Sequence, residues 1–253
     1  MSDFLDLHPA LLAGLSGIGI ILLGIVISDM RGVRDKEKSP SEAERLKMYG
    51  GIRLRLALMA VISVSAWGLA GLPLAQLGLQ WGSGWRIFAA WSVVFVVLAA
   101  MTMQTGLAIR TAERRRTTAR AMNDDESLAV LRPVTSREIW SFAGVGLTAG
   151  VTEEIIFRGF LSAVFALILP LWTAIILANA LFVFAHIYQG WKGMLRIVPV
   201  TILMAFVASL GESLYPAIVL HIGVDLIATI MFCAIANEQP HWEHAPNEAP
   251  AEA

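Results

Sequence analysis

One cysteine, Cys233, is all the sulfhydryl chemistry this 253-residue chain possesses, which excludes an intrachain disulfide. Charge is equally scarce. Asp, Glu, Lys and Arg make up 15% of the residues and nearly cancel to a net −1, so the chain lacks the basic excess of a nucleic-acid binder. Only three tyrosines are present, and no His-Glu-x-x-His occurs anywhere, which removes the familiar zinc-protease spacing. The first residues carry Asp3 and Asp6 rather than a basic patch, and the apolar run that follows is longer than a signal core of roughly 7 to 15 residues, so it is expected to be a retained first span.

What remains is apolar. Hydrophobic residues are 57% of the chain and the mean hydropathy is +0.66, the composition of an all-α polytopic membrane protein. Runs long enough to cross a bilayer core fall at about 9–28, 56–79, 87–109, 139–158, 171–188, 194–211 and 216–236, and predict a bundle of seven to eight transmembrane helices. Pro73, Pro170, Pro199 and Pro216 are expected to mark kinks or ends, because proline lacks an amide donor and clashes with the preceding turn. The chain divides into N-terminal spans with charged segments (1–138), a core of spans (139–236) and a polar, proline-bearing tail (237–253) that reads as disordered.

Orientation follows from the cations. Arg31 to Arg55 holds eight basic residues and Arg110 to Arg137 seven, whereas the Gln80–Arg86 connector holds one. Cytoplasmic loops carry the excess of Lys and Arg, so the N-terminus is expected outside and the C-terminus inside. Trp81 and Trp85 suit the outer interface.

Three polar constellations break the apolar pattern. The first is Glu153, Glu154 and Arg158. Ionisable side chains near a bilayer centre cost about 2.5 to 3.5 kcal/mol even on lenient insertion scales, so they face a polar cavity and work there. Glu154 and Arg158 share a helix face at i, i+4, while Glu153 points about 100° away. One acid is thus neutralised and the other stays available as a general base for water. A buried Glu–Arg pair pinning two helices is the plain structural alternative. The second constellation is Phe182 and His186, with Asn179 seven residues before the histidine and on its face. The third is Ser213 and Pro216, then His221 and Asp225 one turn apart, placed to hydrogen-bond each other. His241 and His244 in the tail, and His8 at the outer surface, read as solvated.

Two chemistries use this inventory. Zinc held by Glu153, His186 and His221 would polarise a water; alternatively Glu153 and His186 activate the water without metal while His221 steadies the oxyanion. Spacing alone does not choose. A geometric difficulty also stands: if 139–158 crosses outward and 171–188 returns, Glu153 and His186 lie at opposite ends. A break near Gly144, Gly146 and Gly150, or an added hairpin, is the expected relief.

The ordered set Glu153-Glu154-x-x-x-Arg158, Phe182-x-x-x-His186 and Ser213-x-x-Pro216-x-x-x-x-His221-x-x-x-Asp225 resembles the CAAX-protease and bacteriocin-processing family, also called CPBP or Abi, which includes the type II CAAX prenyl proteases. The resemblance covers 139–236 and implies an intramembrane endopeptidase. It implies that Glu153 activates water with His186, that Glu154 and Arg158 are the second acid and its ion-pair partner, that His221 polarises the scissile carbonyl or the oxyanion, and that no cofactor is required. Asp225 stands where the prenyl proteases often carry Asn; an ionised Asp cannot donate to an oxyanion, so Asp225 either stays protonated in the pocket or orients His221, and a metal-ligand role gains weight. Implied partners are the lipid bilayer and a peptide or membrane-protein substrate, in a bacterial plasma membrane, with no nucleic acid. A non-catalytic scaffold or bacteriocin-immunity protein would use the same fold. A proton-relaying transporter is disfavoured by the absence of an inverted repeat.

Overall fold

The structure is a computed structural model describing residues 7–32, 40–123 and 131–236. Tail residues His241 and His244, and the acids Asp3 and Asp6, lie outside the described residues. Helices account for the described chain: α1 (Pro9–Gly32), α2 (Glu42–Leu69), α3 (Gly84–Ile109), α4 (Ala112–Asn123), α5 (Ser136–Glu153), a π-helical segment (Glu154–Leu161), α6 (Ser162–Ala166), α7 (Leu171–Ala185), α8 (Gly190–Gly211) and α9 (Tyr215–Ile235). Five of them, α1, α2, α3, α8 with its lead-in from Ile187, and α9, are long and apolar enough to cross a membrane. The molecule is therefore a multi-pass membrane protein.

Capping chemistry sets several boundaries that hydropathy misses. The second span begins at Glu42 rather than near 56, because Ser41 accepts from the Glu44 amide and the Glu44 carboxylate reaches back to the Ser41 amide. Lys and Arg scattered over the first turns hide this start from any hydropathy window. Thr135 and Glu138 form the same reciprocal box at the head of α5. Pro216 opens α9 as expected. Pro199 does not end its element but sits inside α8.

The break expected at Gly144, Gly146 and Gly150 is absent. Helix runs from Ser136 to Ala166, and its one irregularity is the π-helical stretch that follows Glu153. The glycines instead let α9 approach α5. A Cβ at 146 would stand 2.7 Å from the Asp225 Cβ, and one at 150 would stand 2.8 Å from the Ile222 amide nitrogen. Over Ile156–Leu161 every residue is buried, with Trp67, Phe160, Phe157 and Phe182 in the surrounding core. The widened turns seat that run against its neighbours, and π-bulges of this kind recur at functional sites.

α7 resolves the depth difficulty in another way. Fifteen residues rise only about 22 Å, short of the roughly 30 Å hydrocarbon core. The chain leaves helical geometry at His186, turns through Ile187–Gln189, and re-enters as α8. Non-helical backbone at membrane depth is tolerated where it lines a cavity.

Candidate active site

Glu154 is fully buried and accepts from two donors on one oxygen. Arg158 Nη1 donates to Glu154 Oε1 at 3.1 Å, and His221 Nδ1 donates to the same oxygen at 2.8 Å. Arg158 continues to the Thr201 carbonyl on α8 at 3.5 Å, and its guanidinium lies 4.1 Å over the Phe182 ring. The arginine thus ties the π segment, α7 and α8 together.

With Nδ1 committed to Glu154, His221 turns Nε2 toward the remaining acids. Glu153 Oε2 is 3.6 Å away and Asp225 Oδ2 3.9 Å. Both separations exceed a direct hydrogen bond. The i, i+4 bond expected between His221 and Asp225 is therefore not made, and Glu154, from a different helix, fixes the imidazole tautomer. Glu153 makes no hydrogen bond to a described protein group and faces the cavity, so the division of the two acids into one paired and one available is found in the geometry.

His186 is oriented by its own helix end. Its Nδ1 donates to the Phe182 carbonyl at 2.8 Å, which leaves Nε2 as the nitrogen with a lone pair. Phe182 is the hub of the site. Its ring contacts His186 at 4.7 Å between centroids and meets Phe157 and His221 edge-on at 5.2 and 6.1 Å. Tyr188 packs on the other side of His186 at 5.7 Å.

These residues line one cavity of about 510 Å³. Glu153, Phe182, His186, His221 and Asp225 occupy it together, answering the concern that the first and third lie at opposite depths. Asn179 is not part of the lining. It donates to the Ile175 carbonyl of its own helix, and its sequence register with His186 is lost because the helix ends at Ala185. Thr201, Tyr188 and Arg196 line the cavity without having been singled out in the sequence; single polar residues between apolar neighbours, on α8 and in the turn before it, gave no periodic signal.

From the Glu153–His221 level the cavity walls run toward Tyr49, Met122, Arg132 and Phe232, the side of the charged segments. On the opposite side a plug of contacts joins the connector to the start of α9. Trp81 stacks on Tyr215 at 4.5 Å, the Leu214 amide donates to the Gly78 carbonyl, Ser213 donates to the Gln80 carbonyl, and Arg86 pairs with Glu212. Ser213 belongs to this plug rather than to the reacting centre.

Among the described residues no three His, Cys, Asp or Glu side chains form a group that could hold a metal ion. Residues 135–227 match the family model described as Type II CAAX prenyl endopeptidase Rce1-like. No curated protein and no solved structure matches the chain.

Proposed function

From the membership of residues 135–227 in the Rce1-like, type II CAAX prenyl endopeptidase family, a family of proteases, we propose that this chain is an intramembrane endopeptidase that hydrolyses a peptide bond with a glutamate-activated water. The observation that carries the reading is the unequal fate of the two adjacent acids. Glu154 is spent on Arg158 and His221, and Glu153 is left facing the cavity that His186 also lines.

In this reading Glu153 accepts a proton from water as the oxygen bonds to the scissile carbonyl carbon, with His186 Nε2 accepting from the same water. The carbonyl oxygen becomes an oxyanion. His221, carrying protons on both nitrogens, donates through Nε2 to that oxyanion while Glu154 holds the other side of the ring. The C–N bond then breaks, and Glu153 returns its proton to the leaving nitrogen. No step requires a cofactor. The substrate is a peptide or a membrane-protein segment reaching the site from the side of the charged segments.

Glu153→Gln keeps the shape and removes the base. A loss of about 10²- to 10⁴-fold in turnover is expected. Comparison of the membrane and secreted peptidomes of wild-type and Glu153→Gln strains at matched protein levels should show an uncut precursor in the mutant. An unchanged peptidome, with the mutant still complementing a deletion, would move the chain to the scaffold reading.

A further inference from the structure

Arg53 lies eleven positions past the start of α2, inside a helix long and apolar enough to span a membrane, and it is exposed. Among the described residues it makes no hydrogen bond or ion pair. An unpaired guanidinium at membrane depth is costly unless it reaches a phosphate or water at the interface. Its surroundings supply the direction of that reach. α2 and α5 run side by side in the same sense, as the pairs Arg45–Glu138, Tyr49–Phe142 and Arg53–Gly144 show. Arg53 lies across Gly144, with Nη1 3.3 Å from where a Cβ at 144 would stand. The missing side chain makes a seat for the guanidinium.

The outward stripe of α5 through this seat has the order of a bilayer. Arg137 and Trp140 are exposed, Trp140 by 79%; Gly144 follows, and then Leu147 and Val151 are exposed to the apolar side. Trp140 sits one turn, about 6 Å, toward the charged face from Gly144. Tryptophan at that place is an interfacial anchor. Side chains on α2 lean toward its N-terminus, so Arg53 extends back toward the Trp140 level. Leu54, Leu58 and Val61 continue the apolar wall on α2.

We propose that the α2–α5 seam, with Arg53 seated on Gly144 beside Trp140, binds the phosphate of an anionic phospholipid in the leaflet next to the charged segments. Arg53 is the phosphate ligand, Arg137 adds positive charge at headgroup level, Trp140 packs against the glycerol region, and the acyl chains run along Leu147, Val151 and Val61. The site is on the outer surface of the bundle and independent of the hydrolytic centre.

The test uses the full-length protein in equimolar phosphatidylcholine and phosphatidylglycerol, with retained lipid counted by native mass spectrometry. Wild type should keep phosphatidylglycerol in preference to phosphatidylcholine. Arg53→Gln should weaken that binding about fivefold, the factor to which ~1 kcal/mol per basic residue at an anionic surface corresponds. Gly144→Val, which fills the seat, should weaken it too, and Arg53→Lys should retain most of it. Arg53→Gln removes no internal pair, so its thermal unfolding should match wild type. Equal retention of both lipids by wild type, or an equal loss in the surface control Arg120→Gln, would overturn the site in favour of diffuse charge. Displacement of the lipid by soluble glycerol phosphate would overturn the lipid assignment as well.

Discussion

Two neighbouring carboxylates meet opposite fates because a helix turns about 100° per residue. Glu154 faces inward and becomes the acceptor for Arg158 and His221; Glu153 faces the cavity. Removing a partner of the first kind and the second kind should therefore have different costs. Arg158→Ala strands a buried carboxylate and should lower stability by about 3 to 5 kcal/mol. Glu153→Gln breaks no hydrogen bond, only the 3.6 Å approach to His221, and should leave stability within about 1 kcal/mol of wild type while lowering turnover by the factor given above. Thermal unfolding in detergent measures both. A Glu153→Gln protein that unfolds as early as Arg158→Ala would mean that the free acid is structural.

This pairing was legible in the i, i+4 spacing, and so was the company of His186 and His221. The tautomer of His221 was not. Its sequence neighbour Asp225 was the natural partner, yet 3.9 Å separates them, and the bond goes to an acid 67 positions away on another helix. Sequence spacing reports neighbours within one helix; a bond between helices depends on packing that no periodicity encodes. The role of Phe182 as a platform for Arg158 has the same origin.

At the scale of elements, the glycines that looked like a break are contact points. Gly150→Val would drive a side chain into the Ile222 backbone, which has no freedom to yield, and should destabilise the α5–α9 pair by about 1 to 3 kcal/mol. Gly51 on α2 has nothing within 4 Å of its missing Cβ, so Gly51→Ala should instead stabilise by about 0.5 to 1 kcal/mol through helix propensity. Opposite shifts of the unfolding temperature are the expected result. Shifts of the same sign would remove the packing argument. Span existence was readable from hydropathy because apolar runs are long. Span starts were less so, since α2 begins at a capping box amid basic residues, and the short reach of α7 only becomes visible once its end at Ala185 is known.

At the scale of the whole molecule, we propose that the charged segments face the cytoplasm and the Trp81 plug faces outward. In a Cys233→Ser background, a Ser83→Cys probe should react with an impermeant maleimide on intact cells, and Thr117→Cys only after lysis. The reverse pattern would invert the protein. Whichever face the mouth occupies, a well plugged at one end has an electrical consequence. Aqueous contact would bring the reacting groups close to the potential of the compartment on which the well opens, and the membrane voltage, about 2.3 kcal/mol per charge per 100 mV, would then drop across the contacts of Trp81, Tyr215 and Leu214. On the proposed endopeptidase reading, protons and cleaved fragments would then enter and leave through the same door, and hydrolysis inside an energised bilayer would not discharge it.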